Sequence, residues 1–228
     1  MNLKKTYITL AACAAGVLSA FADPQVNMGT YNAGAGGNYR ANPNAELEWV
    51  ISNYAAGATD GTWFGTFCIE KNEYFSNGGL YSVALNDRAI GGGVSSPTAG
   101  YDIISQGTAF LYTKFATGAL SASYYGSATN AATLQDLIWW LEGEQGSWGA
   151  GTYNSLLSAQ FGANWQIDAK KDYTGSAVKV MNLTSNRGQT RNQDQLVYVG
   201  VPDGATTSLL LGFGLLGLAF MNRKSRRA

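Results

Sequence analysis

The chain has 228 residues, 15 basic and 15 acidic side chains, a formal charge of zero and no histidine at all. The absence of histidine excludes histidine-based catalytic triads, and two cysteines are too few for an ordinary zinc site. Overall neutrality hides an uneven distribution: residues 23–200 carry 9 basic and 14 acidic side chains, a net charge of −5 with no basic run, which argues against a nucleic-acid interface.

In chain order, Lys4 and Lys5 precede an apolar run over residues 7–18, and Ala20-Phe21-Ala22 places small residues at the two positions that signal peptidase reads. Residues 1–22 are therefore expected to be a signal peptide cleaved after Ala22. The apolar run is too short for a permanent N-terminal anchor, so the mature chain is expected to be exported.

Residues 23–200 have the length of one domain with a real core. Residues 23–44, rich in glycine and asparagine, read as loop or edge strand. Strands are expected at 47–52, 63–70 and 80–85, followed by a loop marked by Gly91-Gly92-Gly93 and Ser95-Ser96-Pro97. Helical spacing through Ile103, Ala109, Phe110 and Ala116 predicts a helix over 103–117, with Gly118 as its stop. A second helix covers 131–144 with Thr129 or Asn130 as N-cap, and a third covers 152–161, closed by Gly162. Strands at 177–183 and 196–201 complete the domain. The expected class is α+β: a mainly antiparallel β-sandwich or barrel-like domain with a small inserted helical subdomain, plus a C-terminal transmembrane sorting helix.

Two positions within this domain carry the chemistry. Cys13 leaves with the signal peptide, so Cys68 is the only thiol left in the mature domain and an intramolecular disulfide is ruled out. A lone thiol outside the cell is buried, paired between chains or chemically occupied. In the strand over 63–70 it alternates away from Phe67 and Ile69. In the helix over 131–144, Leu134, Leu137, Ile138 and Leu141 form one aliphatic stripe, and Gln135, Trp139 and Glu142 lie along its edge. Gln135 is thus half buried beside an indole near the helix start, where unpaired amides favour developing negative charge.

Phe67-Cys68-Ile69 and Leu134-Gln135-Asp136-Leu137-Ile138-Trp139 resemble the two motifs of the thioester domains of Gram-positive surface adhesins: an aromatic-Cys-hydrophobic triplet and Thr-Gln-x-Ala-Ile/Val-Trp. Leu134 stands where that family has threonine, and Leu137 where it has alanine. The resemblance implies an internal thioester between Cys68 and Gln135, with Phe67 and Trp139 in support, and covalent attachment to amine- or hydroxyl-bearing protein or polysaccharide. Asp136, Glu142 and Glu144 are local carboxylates that could serve as bases or simply face solvent. The same cysteine and glutamine pattern, closed by Gln193-Asp194-Gln195-Leu196, is similar to chains that carry the C-terminal signal described next.

Val201-Pro202-Asp203-Gly204 begins the last section of the chain. Residues 205–221 are almost wholly apolar and would span roughly 25 Å as a helix, enough for a somewhat thinned bilayer. Residues 222–228 form a basic tail containing Arg223, Lys224, Arg226 and Arg227, which the positive-inside rule keeps cytoplasmic. This three-part layout resembles the PEP-CTERM sorting signals of Gram-negative bacteria, with Pro-Asp-Gly in place of Pro-Glu-Pro. It implies processing by an exosortase, an inner-membrane intermediate and delivery to the cell surface or extracellular matrix.

The expected organisation is therefore signal peptide 1–22, secreted thioester-like domain 23–200 and sorting signal 201–228, with no enzyme activity, catalytic residue, metal or cofactor. Three alternatives stand beside covalent adhesion. Cys68 is a buried core residue in a polysaccharide-associated matrix protein presenting aromatics such as Trp148 and Tyr153; the thioester is only a structural cross-link; or Glu142 and Glu144 are paired carboxylates of a glycoside hydrolase. Two residues apart on a helix end do not face one another, which weighs against the last.

Overall fold

The computed structural model describes residues 23–30, 38–48, 51, 63–90, 101–149 and 151–199. Residues 23–44, read above as loop or edge, instead supply two inner strands, β1 (Gln25–Thr30) and β2 (Tyr39–Pro43), paired antiparallel with Met28 opposite Ala41. Only a few apolar positions declare them, Val26 and Met28 on one strand and Ala41 on the other, and all three are fully buried. The predicted strand at 47–52 begins as a short helix, α1 (Ala45–Glu48). Asn44 is the cause: its Oδ1 accepts the Leu47 N–H at 3.2 Å, as an N-cap does.

The chain continues through β3 (Phe64–Thr66), β4 (Leu80–Asn86) and a small ribbon of β5 (Arg88–Ile90) with β6 (Tyr101–Ile103). The helical insertion follows: α2 (Gln106–Ala116), α3 (Ala128–Leu141), α4 (Asn154–Phe161) and α5 (Trp165–Asp168). The chain then returns to β7 (Val178–Ser185), β8 (Thr190–Arg191) and β9 (Gln195–Tyr198). Among the described residues every strand pair is antiparallel. An α+β domain with helices inserted into a mostly antiparallel sheet therefore forms.

The sheet runs β3-β2-β1-β4-β7, and β7 then pairs with both β8 and β9. Just past β3, Cys68 bridges antiparallel to Gln195 on β9, flanked by Ile69 N–H to Asp194 C=O at 3.1 Å and Leu196 N–H to Phe67 C=O at 3.0 Å. The two ends of the sheet are thus joined, and the strands curl around an interior. Adjacent residues confirm the period of two: Met181, Leu183 and Val197 enter the interior with Val26, Met28, Phe64, Tyr81 and Val83, whereas Val180 and Leu196 face outward. The second sheet among the described residues is the two-stranded β5–β6 ribbon.

The outward face carries the helices. Phe67, Ile69, Val178, Val180 and Leu196 pack beneath Leu111, Tyr112 and Phe115 of α2 and Leu134, Leu137, Ile138 and Leu141 of α3. Each such side chain contributes about 1.5–3 kcal/mol by leaving water. Tyr112 ties α2 directly to β3 by donating its hydroxyl to Gly65 C=O at 2.9 Å. The predicted helices stand with shifted starts: Ser105 caps α2, and Ser127, not Thr129 or Asn130, caps α3 by accepting the Asn130 N–H at 3.2 Å. Gly118, at φ 71°, ends α2 as its composition suggested.

Among the described residues no helix is long and apolar enough to cross a membrane. The signal peptide 1–22 with Ala20 and Ala22, the motif Val201, Pro202, Asp203 and Gly204, the span 205–221 and the basic tail with Arg223, Lys224, Arg226 and Arg227 all lie outside the described residues.

Candidate functional site

Strand alternation sets the direction of Cys68. Phe67 and Ile69 face the helices, so Cys68 turns to the opposite side with Thr66, and all four are fully buried. Phe67 anchors the strand by packing edge-on against Phe115, ring centres 5.0 Å apart. Because residues 67 and 69 spend their backbone groups on β9, the N–H and C=O of Cys68 point to the other edge. There they need partners, since a buried unpaired peptide group is costly.

Gln135 supplies both. Its Oε1 accepts the Cys68 N–H at 2.8 Å and its Nε2 donates to the Cys68 C=O at 2.7 Å, so one carboxamide stands in for a neighbouring strand. The structure therefore brings together Cys68 and Gln135, 67 residues apart, with Gln135 completely buried rather than half buried. The Cys68 N–H also polarises the Gln135 carbonyl, the position of an oxyanion donor for attack on that carbon. Trp139, one turn along α3, is 9 % exposed, with Lys71 Nζ 5.4 Å from its ring centre. Its indole N–H is buried without a hydrogen-bond acceptor among the described residues.

The sulfur itself meets Gln195, whose Nε2 donates to Sγ at 3.1 Å. Burial pushes the Cys68 thiol far above its ordinary range, while hydrogen bonds from Gln195 and Tyr39 pull it back. Tyr39, also hydrogen-bonded to Cys68, is pushed up to about 12, chiefly by burial.

Gln195 belongs to a triplet with divided labour. Gln193 Nε2 donates to Glu70 C=O at 2.8 Å. Asp194 accepts the Ile90 N–H at 2.6 Å, Asn182 Nδ2 at 2.8 Å and the Leu183 N–H at 3.3 Å, tying the β5–β6 ribbon to β7. Burial raises Asp194 to about 7 despite those donors. The sequence signalled this triplet only as the closing Gln-Asp-Gln-Leu pattern; the roles required the fold.

Of the three carboxylates singled out near the helix, Glu142 and Glu144 accept backbone hydrogen bonds. Glu142 accepts the Ser105 N–H at 3.1 Å and the Ser105 hydroxyl at 2.8 Å, holding the start of α2, and burial raises it to about 7. Glu144 accepts the Lys71 N–H at 3.1 Å. Asp136 contributes its backbone carbonyl to Gln145 Nε2 at 2.7 Å. Glu142 and Glu144 are buried and bonded to different partners. Tyr153 is 1 % exposed and Trp148 packs among Trp140, Tyr153 and Trp165, so these aromatics serve the core more than a sugar platform.

Comparison with known families finds a VPDSG-CTERM motif at residues 200–225. This chain reads Val201-Pro202-Asp203-Gly204, without the serine of the motif's name. No curated protein and no solved structure matches the chain. The motif supports a C-terminal sorting signal of the PEP-CTERM type, and with it an exported protein, a membrane intermediate and processing by an exosortase.

Proposed function

We propose that this is an exported, non-enzymatic surface or matrix protein whose Cys68 and Gln135 form an internal thioester that attaches the chain covalently to a nucleophile on a partner surface. The observation that carries the reading is the doubly bonded Gln135 carboxamide on the Cys68 backbone, at 2.8 and 2.7 Å in a fully buried setting. That pairing brings the two residues side by side, and acyl transfer needs the sulfur and the acyl carbon held close together. In the bond-forming step, Sγ attacks Cδ of Gln135, the C–S bond forms, the C–N bond breaks and the thiol proton leaves with nitrogen as ammonia. An amine or hydroxyl then attacks Cδ, and the electron pair and proton return to sulfur. Phe67 fixes the strand, and Trp139 shields the bond from water.

Complete burial of Cys68 and Gln135 favours a second reading, in which the thioester is a structural cross-link or Cys68 is a core thiol. Closing so long a loop would stabilise the fold by about 4 kcal/mol, by analogy with disulfides. The test is incubation of the full-length chain with a fluorescent primary amine, followed by peptide mapping. Covalent adhesion requires label on residue 135 that Cys68→Ala abolishes. Loss of ammonia without labelling would leave a cross-link alone, and neither would leave a core cysteine.

A further inference from the structure

Resting on that thioester reading, we infer that Gln195 is a positioning residue for the reaction: it holds the Cys68 sulfur by an N–H donor and receives the negative charge that sulfur carries when the acyl bond forms or opens. Cys68 and Gln195 face each other in an antiparallel bridge, with the flanking bonds Ile69 N–H to Asp194 C=O and Leu196 N–H to Phe67 C=O on either side. That pattern makes them the non-hydrogen-bonded pair, the kind whose side chains approach most closely across a ladder. Gln195 Nε2 reaches Sγ at 3.1 Å, and both residues are fully buried.

The orientation of the amide is set independently of the sulfur. Gln195 Nε2 also lies 3.4 Å from the Gln193 carbonyl, so its two hydrogens have two acceptors and its nitrogen end is directed at Sγ. Gln135 is held by the Cys68 main chain and Gln195 by its sulfur, so two carboxamides grip one residue from opposite edges. Their tasks differ. Gln135 presents a carbonyl polarised by the Cys68 N–H, which suits an acyl donor. Gln195 presents N–H to sulfur, which suits a leaving group.

The chemistry follows the same balance as above. When an amine attacks Cδ of residue 135, a C–N bond forms, the C–S bond breaks and the electron pair stays on sulfur. The amine proton then moves to sulfur, and no oxidant or reductant is involved. In an interior that burial makes hostile to thiolate, a fixed N–H donor lowers the barrier to both the making and the breaking of the bond.

The experiment compares the full-length chain with Gln195→Met, which keeps apolar volume but removes the donor, by intact mass, melting temperature and the rate of opening by methylamine. Gln195→Glu, similar in shape, supplies the same comparison if the methionine variant does not fold. The expected result is a melting temperature within a few degrees of the unmutated chain together with methylamine opening about tenfold slower or a matching loss of thioester occupancy. An unmutated chain with its thioester and a folded variant with equal occupancy and opening rate would overturn the role of Gln195 alone. An unmutated chain that never loses ammonia would overturn the thioester reading and this inference together.

Discussion

The side chain of Gln135 occupies both backbone hydrogen-bonding groups of Cys68, accepting its N–H at 2.8 Å and donating to its C=O at 2.7 Å. This places a helix-borne carboxamide at the seam where the curled sheet closes on itself. The seam is where the interior of the sheet and the helical layer meet, so changes there affect packing and chemistry together.

Gln135→Ala leaves the Cys68 N–H and C=O buried without partners. Each such group costs about 1–3 kcal/mol, so the variant is expected to lose about 2–6 kcal/mol in urea denaturation. Cys68→Ala keeps the backbone pairing and should lose less. Equal losses in the two variants would contradict the pairing.

Gly107 lies at the start of α2 against the end of α3 and the residue following α5. A Cβ there would meet Leu141 Cδ2 at 2.8 Å, Ala169 Cβ at 2.9 Å and the Ala169 carbonyl at 3.0 Å. Backbone on one side cannot yield cheaply, so Gly107→Ala is expected to destabilise the chain by about 1–3 kcal/mol despite alanine's higher helix propensity. Thermal unfolding of the variant measures this directly.

Acid should stabilise the domain. Burial holds Glu142 and Asp194 at about 7 in the folded chain, well above their unfolded values, so the folded state binds protons more tightly than the unfolded one. The stability these groups contribute is complete below pH ~4 and is lost as pH rises to ~7. Urea denaturation is expected to show a decrease of several kcal/mol across that window, and Glu142→Gln should flatten part of the slope. A stability that rises steadily over the same range would contradict the assignment.

The Trp139 indole N–H has no acceptor among the described residues, so Trp139→Phe removes none of the hydrogen bonds seen there and should cost only about 1 kcal/mol. Trp139→Ala removes the cover as well and is expected to cost about 3 kcal/mol or more. If Trp139 shields the bond, spontaneous hydrolysis, read as glutamate at position 135, should be faster in the alanine variant than in the phenylalanine variant.

The features legible in the sequence were those written in local periodicity. The aliphatic stripe of α3 located Gln135 beside Trp139, alternation in β3 turned Cys68 away from Phe67, and Gly118 and Gly162 marked helix ends. Partnerships across the ladder were not legible. β1 and β2 were hidden because their core contacts come from Val26, Met28 and Ala41 amid glycine and asparagine, a pattern too sparse to separate a strand from a loop. α1 was misread because Asn44 acts as a cap, which outweighs the apolar residues that follow it. Glu142 and Glu144 looked like exposed helix-end carboxylates, yet they are buried because Ser105 and Lys71 present backbone N–H groups from elements distant in sequence. Gln195 could be noticed as part of a motif, but its contact with Sγ exists only because β9 closes the sheet against the extension of β3.

The most direct test of the Cys68–Gln135 bond is the intact mass of the full-length chain, beside Cys68→Ala and Gln135→Ala, before and after exposure to methylamine. The account predicts a deficit of one ammonia in the unmutated chain alone, converted by methylamine into an adduct on residue 135. An unmodified mass in the unmutated chain, with a Cys68 thiol that alkylates after unfolding, would contradict it and leave Cys68 a core residue.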